Sequence, residues 1–419
     1  MSVKINSEIG DLKKVIVHRP DAGIARVSPK RAEELLFDDI VFLPEMQKEH
    51  DTFTDILSLF IGKDNVYETF NLLVEALDTN KPEKAELISS VVDFEELPKK
   101  YGELMSNMNN ETLAKVLIEG YYPDQDLILF DPIPNFIFTR DIAVFVKDHV
   151  IVTKAAKEAR HRENWLTRFI IYTHPLFTSY SNENKIINLN HVDIFPPSKS
   201  GEVVSIEGGD VMMVQGDYLL VGCSERTTPH AVTSIRDYIF EKGILNHVVQ
   251  VNIPSDRSCM HIDTLFTRID HDTVVGYKPI VCDGHHSSVI VHCKNGSKRN
   301  YNSIKEFFLS EINKDINFIM AGDGKSPYQE REQWTDGCNL VAVKPGVGLT
   351  YDRNPLTEIA FKNAGYEVIH AHDFIESVKS GKLDIASVQK TIITLPSNEL
   401  SRARGGSHCM TCPFERSLI

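Results

Sequence analysis

The sequence predicts a mixed α/β protein in which a block of helices interrupts repeated strand–strand–helix–strand units. Residues from about 30 to 122 are rich in Leu, Glu, Lys and Ala and carry apolar residues at helical spacing. From about residue 127 the chain changes to short β-branched runs separated by turns. With 419 residues, 42% of them hydrophobic and 25% charged, the chain can bury a large core and has room for two or three domains.

The helical block is predicted from apolar residues that recur three and four positions apart. The clearest example is the group Leu72, Leu73, Ala76 and Leu77. Because proline breaks helices, three prolines are expected to divide the block into shorter helices: Pro82, Pro98 and Pro123.

The downstream part of the chain repeats one order of elements. Two strands joined by a tight turn are followed by a helix and a third strand. This order is predicted at 135–172, 206–253 and 339–369, and it begins again at 264–277. In the second of these the helix is predicted over 229–242. The spacing is irregular, so ordinary α/β sequence would also produce the pattern.

Charge and cysteine content restrict the classes of function. Forty-five Lys+Arg residues against 59 Asp+Glu give a formal net charge of −14, which argues against a nucleic-acid partner and favours solubility or a cation-attracting site. Seven cysteines without framework spacing argue against disulfides. The segment from Met1 to Asn6 lacks the apolar region of a signal peptide, and no apolar run approaches the roughly 18–20 residues that span a bilayer. We therefore expect a cytoplasmic protein without membrane contact.

A cysteine near the C-terminus is the strongest candidate for a reactive group. Cys409 follows Gly405 and Gly406, and a cysteine in a glycine-rich turn suits a nucleophile that a ligand must approach closely. Metal binding is the alternative, because ligand-like spacing occurs twice: at His408, Cys409 and Cys412, and at Cys282, His285 and His286. A structural zinc site normally needs matched pairs of ligands, and the chain has no second two-cysteine pair. No metal is therefore predicted.

Two further segments carry polar residues that are predicted to end strands. In the first, Asn135, Phe138 and Asp141 lie near a strand end, where Asp141 could equally cap its own backbone. In the second, Glu207 precedes Gly208-Gly209, which would let another group approach the backbone closely. A simple turn explains the glycines equally well, but it does not explain the glutamate.

A third segment, 260–266, is predicted as a strand in which His261 and Asp263 project from the same face. A single histidine in a strand is more often structural than functional. The aspartate beside it on the same face favours a functional site.

These segments together resemble the arginine deiminase family of the guanidino-modifying (pentein) superfamily. The resemblance rests on five motifs in the family's order: 135–141, 207–210, 224–227, 260–263 and 405–410. It extends to Glu8–Leu12 with Val15–His18, to Leu35–Asp39, and to Arg331-Glu332 with Asp336-Gly337, so it covers essentially the whole chain. One departure is Ile142, which follows Asp141 where the family usually has proline.

For the fold, the resemblance implies a five-bladed α/β propeller of ββαβ units around a central site, with an inserted helical bundle. Residues 1–68 and 123–419 would form the catalytic domain, and residues 69–122 the inserted helical domain. No cofactor is implied. The expected partners are L-arginine and further copies of the chain, as a dimer or tetramer.

For the site, the resemblance implies a role for each matched residue. Cys409 would be the nucleophile, His261 the general acid and base, and Glu207 the partner of that histidine. Asp141 and Asp263 would hold the substrate guanidinium. The remainder of the substrate would be held by Asn135, Phe138, Arg160, Arg226 and Arg404, with Arg162 as the alternative to Arg160.

The reaction implied is hydrolysis of L-arginine to L-citrulline and ammonia through an S-alkylthiouronium intermediate on Cys409. A guanidinium is planar and always charged, so two carboxylates can bind its donor fork. Its charge would favour the thiolate of a nearby cysteine, whose pKa is ordinarily about 8.5. Two alternatives stay open: an amidinotransferase, which would pass the intermediate to an amine, and a catalytically silent protein that binds arginine.

Overall fold

The computed structural model describes residues 4–37 and 39–419, and it shows a mixed α/β protein, as predicted. Asp38 and residues 1–3, which entered the predictions above, lie outside the described residues. No helix within the two described ranges is both long enough and apolar enough to cross a bilayer. All seven cysteines are free thiols.

Helices occur on both sides of position 122. The α-helices of the described ranges are α1 Leu43–Ile61, α2 Thr69–Thr79, α3 Lys81–Phe94, α4 Lys99–Ser106, α5 Asn110–Glu119, α6 His161–Thr173, α7 Thr178–Asn182, α8 Pro229–Lys242, α9 Lys278–Val281, α10 Ile304–Phe307, α11 Tyr328–Trp334, α12 Pro355–Asn363 and α13 Ala371–Lys379.

The strands are short. They are β1 Leu12–Val17, β2 Val66–Glu68, β3 Tyr121–Tyr122, β4 Leu127–Ile128, β5 Ala143–Val146, β6 His149–Val152, β7 Ile186–Asn188, β8 Val211–Gln215, β9 Tyr218–Cys223, β10 His247–Asn252, β11 Phe266–Asp270, β12 Thr273–Gly276, β13 Ser288–Cys293, β14 Lys298–Tyr301, β15 Asn317–Met320, β16 Val341–Lys344, β17 Val347–Tyr351, β18 Glu367–His370, β19 Thr391–Leu395 and β20 Cys412–Arg416. Across the described part of the chain they form five sheets of three to five strands and one two-stranded sheet, and none of these closes into a barrel.

The predicted ββαβ order is present in several sheets. Strand β9 pairs antiparallel with β8 and, after helix α8, parallel with β10. Strands β5, β6 and β7 repeat this arrangement around α6 and α7. Thr228 caps α8 by accepting the N–H of Ala231, and Pro229 occupies the first turn, where its missing N–H costs nothing. The helix predicted over 229–242 is therefore confirmed.

Two sheets depart from the predicted order. In the 339–369 region the parallel neighbour of β17 is β19, and the predicted third strand, β18, pairs outside it. The repeat that begins at β11 and β12 is completed by β15, after the hairpin β13–β14. That hairpin joins the previous sheet through β10. The pairing of strands that are far apart in sequence has no signature in the local sequence. The repeated order of predicted strands and helices therefore could not reveal these pairings.

The two ends of the chain form one sheet. Strand β1 pairs antiparallel with β20 and, after helix α1, parallel with β2. This is again the order β, β, α, β, but its first strand comes from the C-terminus. Because Cys409 lies just before β20, this pairing fixes the cysteine loop against the start of the chain.

The prediction of helix throughout about 30–122 is wrong in two places. Residues 31–36 form turns, and Leu36 has a positive φ of 58°. Gly62, with φ of 82°, ends α1, and the following β-branched and aromatic residues form strand β2. The prolines do divide the block into shorter helices, as predicted, and they lie at helix starts: Pro82 in the first turn of α3 and Pro98 at the N-cap position of α4.

The largest apolar core joins the helical block to three of the sheets. Leu117 of α5, Val150 of β6 and Val221 of β9 belong to one buried cluster. A second cluster packs α1 and α13 against β1, β17 and β19, and it includes Cys409 and Met410. The nucleophile candidate is thus set in a rigid, well-packed region.

Candidate active site

A small cavity lies beside Cys409, where the loops before β5, β8, β11 and β20 meet. Eight of the ten predicted site residues line it: Asn135, Phe138, Asp141, Arg160, Arg226, His261, Arg404 and Cys409. The other two, Glu207 and Asp263, lie directly behind this wall and contact His261 and Cys409 respectively. The free volume is about 20 Å³, which is room for about one water molecule.

The polar motifs lie on short 3₁₀ turns, and the prediction that they end strands is wrong. The turns are Pro134–Ile137, Gly208–Asp210 and Ile262–Thr264, and the following strands begin only at Ala143, Val211 and Phe266. His261 and Asp263 therefore do not share a strand face. They reach the same site because His261 caps the 3₁₀ turn that contains Asp263.

A carboxylate fixes the turn that carries His261 and Asp263. Asp210 accepts the N–H of Ile262 at 3.0 Å and the hydroxyl hydrogen of Ser224 at 2.5 Å. Burial raises the pKa of Asp210 to about 6, while nearby His261 and the hydroxyl donors oppose that rise. Such side-chain bonds to backbone compete with strand pairing, which explains the irregular local structure.

Gly208 and Gly209 allow other parts of the chain to approach their backbone closely, as the sequence suggested. A Cβ atom on Gly208 would lie 1.9 Å from the carbonyl oxygen of Arg140. A Cβ atom on Gly209 would lie 2.5 Å from Nδ1 of His261. Both distances are shorter than real Cβ contacts, so a side chain at either position would clash. The glycines therefore let the motif at 207–210 pack against two other parts of the site.

An acidic cluster surrounds the guanidinium of Arg160. Nη1 of Arg160 lies 2.8 Å from Oδ2 of Asp141 and 3.1 Å from Oε2 of Glu207. The same side chain donates Nε and Nη2 to Glu163 at 2.9 and 2.8 Å. All four side chains are buried. The cluster therefore binds a planar cation by charge-assisted hydrogen bonds.

Arg162 lies elsewhere. Its Nε donates to the carbonyl of Leu117 at 2.9 Å, and its other nitrogens contact Glu95 and the carbonyl of Asp131. These contacts connect α6 to the helical block. The cavity is lined by Arg160, so the alternative assignment to Arg162 has no geometric support.

His261 is held between two carboxylates. Its Nε2 lies 3.0 Å from Oε2 of Glu207, and its Nδ1 lies 3.7 Å from Oδ1 of Asp141. Burial alone would lower the pKa of His261, but the charge of Asp141 and the hydrogen bond to Glu207 raise it to about 10. Burial would likewise raise the pKa of Glu207, but Arg160 and His261 hold it well below its usual range. The imidazole is therefore protonated at neutral pH.

Cys409 faces carboxylates. Its Sγ lies 3.4 Å from Oδ2 of Asp263, and its side chain is 4% exposed. Burial, together with the charges of Asp263 and Asp141, raises the pKa of the Cys409 thiol well above its ordinary value. In the unliganded protein the sulfur is thus a neutral thiol, and an added cation would favour the thiolate.

Asp263 has a buried partner on its other side. His408 lies with Nδ1 2.9 Å from Oδ2 of Asp263 and Nε2 3.3 Å from Oε2 of Glu8. Glu8 in turn contacts the guanidinium of Arg140 at 3.3 Å. Burial would raise the pKa of Asp263, but its hydrogen bond to His408 holds it below its usual range. Asp263 is therefore ionised beside the cysteine.

Two predicted substrate-binding residues line the cavity from the 134–138 turn. Asn135 donates Nδ2 to the carbonyl of Leu35 at 2.7 Å, which ties the 35–36 turn to the site. Phe138 packs against the glycine before the cysteine loop, since a Cβ atom on Gly405 would lie 2.3 Å from the phenyl ring. Both residues therefore form part of the cavity wall.

Two further arginines, Arg226 and Arg404, line the cavity. Arg226 is 1% exposed, and its Nη1 lies 3.7 Å from Oε1 of Glu207. The guanidinium carbon of Arg404 lies 3.2 Å from the ring centroid of Trp334. Arg404 also has a positive φ of 63°, so the chain turns sharply there before the glycines.

Four buried polar residues of the site were not predicted. Glu163 could have been found from its helical spacing after Arg160, and Asp210 belongs to the glycine motif. His408 was considered only as a metal ligand, because of the cysteines beside it. Asn339 donates to Sγ of Cys409 at 3.1 Å, and nothing in the sequence around it indicated this contact.

Among the described residues, one group could hold a metal ion: Asp141, Glu207 and His261, whose ligand atoms lie within 4.8 Å of one another. The guanidinium of Arg160 already contacts both carboxylates of this group. The ligand-like pairs at 408–412 and 282–286 form no such group within the described ranges. Cys412 instead lies 3.1 Å from the carbonyl of Ala143.

Comparison with known proteins identifies the family of this chain. The sequence matches the family described as Arginine deiminase over residues 33–122 and 100–416. It is 29% identical over 445 aligned positions to the arginine deiminase of Oenococcus oeni, covering 100% of this chain and 98% of that relative.

Solved structures show the same fold. An amidinotransferase from Microseira wollei, of the saxitoxin biosynthetic pathway, aligns with a TM-score of 0.55 at 12% identity over 100% of this chain and 98% of that one. The N-terminal domain of ArgZ, a cyanobacterial arginine dihydrolase, aligns with a TM-score of 0.50 at 13% identity over 97% and 98% of the two chains. At such low identity these likenesses show the pentein fold alone. The family match spans most of the sequence, and the chain therefore belongs to the arginine deiminase family, as its motifs predicted.

Proposed function

We propose that this protein hydrolyses free L-arginine to L-citrulline and ammonia through a covalent intermediate on Cys409. One observation carries the proposal: a buried acidic cluster beside Cys409 already holds a guanidinium, that of Arg160. A pocket built for one planar cation suits another of the same chemistry. Family membership supports guanidino-group hydrolysis independently.

In the first half of the reaction, Cys409 forms a C–S bond with the guanidino carbon. The substrate cation favours the thiolate, and the thiol proton is released to solvent. Imidazolium His261 protonates a terminal guanidino nitrogen, the C–N bond breaks and ammonia leaves. The product is an S-alkylthiouronium cation and a neutral His261.

In the second half, water attacks the thiouronium carbon while His261 accepts one of its protons. Collapse breaks the C–S bond and releases L-citrulline and the Cys409 thiolate. The remaining hydroxyl proton passes to solvent, which converts the ammonia released earlier to ammonium, and the Cys409 thiolate regains a proton from solvent after the product leaves. Glu207 supports the imidazolium in the first half, since the two side chains are hydrogen-bonded.

Asp141 and Asp263 would hold the substrate guanidinium from opposite sides. For this, Arg160 has to leave Asp141, because the cavity has room for about one water molecule. The displaced Arg160 would then pair with the α-carboxylate of the substrate, together with Arg226, Arg404 and Asn135. Agmatine, which lacks that carboxylate, would be a poor substrate.

The proposal extends to the architecture and assembly. Five sheets contain three or more strands, and one of them joins β20 to β1 in the same ββαβ order as β5–β7 and β8–β10. This supports a five-bladed propeller whose blades surround the site. Residues 69–122 would be an inserted helical domain, with 1–68 and 123–419 as the catalytic domain, and the chain would form a dimer or tetramer.

The decisive experiment incubates the protein with L-arginine, agmatine or N-methylated arginine and assays ureido product and ammonia. Citrulline and ammonia in equal amounts from L-arginine, with no amine acceptor present, are expected. Turnover that requires an added amine would identify an amidinotransferase, and binding without turnover would identify an arginine-binding protein. Acid quenching during turnover, followed by peptide mass spectrometry, should show the thiouronium adduct on Cys409.

A further inference from the structure

The loop that carries Cys409 is clamped to a buried asparagine from a distant part of the chain. Asn339 has no exposed surface and lies just before strand β16. Its Oδ1 accepts the backbone N–H of Cys409 at 3.1 Å, and its Nδ2 lies 3.1 Å from Sγ of the same residue. A single side chain thus contacts both the backbone and the sulfur of the cysteine.

The orientation of this amide is fixed by its partners. A backbone N–H can only donate, so the atom facing the N–H of Cys409 must be the amide oxygen. The amide nitrogen then faces Sγ of Cys409 and the carbonyl of Asp263, which it reaches at 3.1 Å. Carbonyl and thiolate both accept, which agrees with that orientation.

Three carboxylates near the sulfur disfavour its thiolate form. Asp263 lies 3.4 Å from Sγ, and the charges of Asp141 and Asp336 also disfavour a thiolate. The amide N–H of Asn339 is a neutral donor aimed at the atom where negative charge develops. In a water-poor site such a preorganised donor acts more strongly than it would in water.

We infer that Asn339 both positions Cys409 and donates a hydrogen bond that stabilises its thiolate during attack and release. The inference rests on the proposed nucleophilic role of Cys409. The tight packing agrees with it: a Cβ atom on Gly406 would lie 2.7 Å from Oδ1 of Asn339, so the glycine allows the amide to reach the loop.

The test compares Asn339→Ala and Asn339→Asp with Asn354→Ala. Asn354 is a matched control, because it is 1% exposed and its amide also connects two segments, through 2.6 and 3.1 Å bonds to Thr335. Asn339→Asp keeps the size and the acceptor but replaces the donor with an oxygen. Both variants of Asn339 should lower kcat about 100-fold, as loss of an oxyanion donor does, with KM changed by less than about threefold.

A second readout separates stabilisation of the thiolate from structure. Alkylation of Cys409 by iodoacetamide, followed by peptide mass spectrometry across a pH series, reports the thiolate fraction at that residue. Because burial already places the pKa of the Cys409 thiol well above its ordinary value, the readout is the alkylation rate at each pH up to about 9, which should fall about tenfold in Asn339→Ala and by more in Asn339→Asp. Asn354→Ala should leave the profile unchanged, even where it lowers the melting temperature.

The outcomes distinguish this inference from the proposed function. An Asn339→Asp protein that is folded and has the wild-type alkylation profile and kcat overturns the role of Asn339. Turnover that survives in Cys409→Ser overturns the nucleophilic role itself. If Asn339→Ala does not fold, the isosteric Asn339→Asp protein decides the question by the same two measurements.

Discussion

The guanidinium of Arg160 lies 2.8 Å from the carboxylate of Asp141, at the position where a substrate guanidinium is proposed to bind. In the unliganded site the chain's own arginine therefore offsets part of the negative charge of the buried carboxylates. This arrangement reduces the cost of burying Asp141, Glu207 and Glu163 together, since an unpaired buried charge is expensive. Substrate binding then becomes an exchange of one guanidinium for another.

Substitution of Arg160 should affect substrate binding more than folding. Arg160→Lys keeps the charge but loses the planar fork, so it cannot hold two carboxylates or a substrate carboxylate in the same way. We expect KM for L-arginine to rise about tenfold or more, the equivalent of one charge-assisted hydrogen bond. Steady-state kinetics with L-arginine measures this change.

Arg162→Lys is the matched comparison, because Arg162 is two residues away and equally buried. Its contacts with Leu117, Glu95 and Asp131 connect α6 to the helical block. This variant should lower the melting temperature while KM stays within about threefold of wild type. A larger KM effect in Arg162→Lys than in Arg160→Lys would reverse the assignment.

The site could be predicted from sequence where residue type alone points to chemistry. Two patterns stand out whatever secondary structure is assigned to them: a cysteine that follows two glycines, and a histidine two residues before an aspartate. The structure brings these residues together. The local structure predicted for them was wrong, because side-chain hydrogen bonds hold the backbone in 3₁₀ turns. One example is the bond that Ile262 N–H donates to Asp210. The spacing of hydrophobic residues along the sequence does not indicate such bonds.

Contacts between distant segments were the least predictable. Asn339 is a single asparagine next to a buried strand, and its contact with Cys409 spans 70 positions. Strand β19 lies between β17 and β18, although it follows both in sequence. By contrast α8 was predicted to the residue, since Thr228, Pro229 and Gly243 mark its two ends locally.

The pH dependence should report the environment of His261. Removal of the Glu207 charge in Glu207→Gln takes away one of the groups that raise the pKa of His261 to about 10. The imidazolium is lost as pH rises through that pKa, so the alkaline limb of kcat/KM should move to lower pH by about one unit. Glu163→Gln, which changes a carboxylate that contacts Arg160, should move it less. An alkaline limb that stays in place in Glu207→Gln would remove His261 from the acid role.

A methyl group at Gly209 should displace His261, the proposed general acid. The added Cβ would lie 2.5 Å from Nδ1 of His261, so either the ring or the turn has to move. A shift of about 1 Å in a general acid is enough to lower kcat about 100-fold. Gly102→Ala is the control. Gly102 lies in α4, and its added Cβ would make an ordinary 3.4 Å contact with Val92 of α3. Equal kcat in Gly209→Ala and wild type would show that the site tolerates the movement.

A buried histidine outside the cavity should make folding stability depend on pH. His18, on the loop after β1, lies 3.1 Å from Asp21 and 3.0 Å from Glu68. Burial alone would lower its pKa, but the hydrogen bonds to these two carboxylates raise it to about 10. The unfolded value is about 6.5, so the stabilisation is complete below about pH 6.5 and disappears as pH rises through 10.

His18→Gln should therefore reduce the free energy of unfolding by about 1–3 kcal/mol near pH 6.5, with the deficit shrinking towards pH 10.5. Urea unfolding at several pH values measures this difference. His50→Gln is the control: burial lowers the pKa of His50 to about 4, so that side chain is neutral across the same pH range. Its deficit should stay constant from about pH 8 to 10.5, because the folded side chain is neutral throughout and the unfolded one, with a pKa of about 6.5, is already deprotonated there. A constant deficit in His18→Gln as well would mean that His18 is not charged in the folded protein.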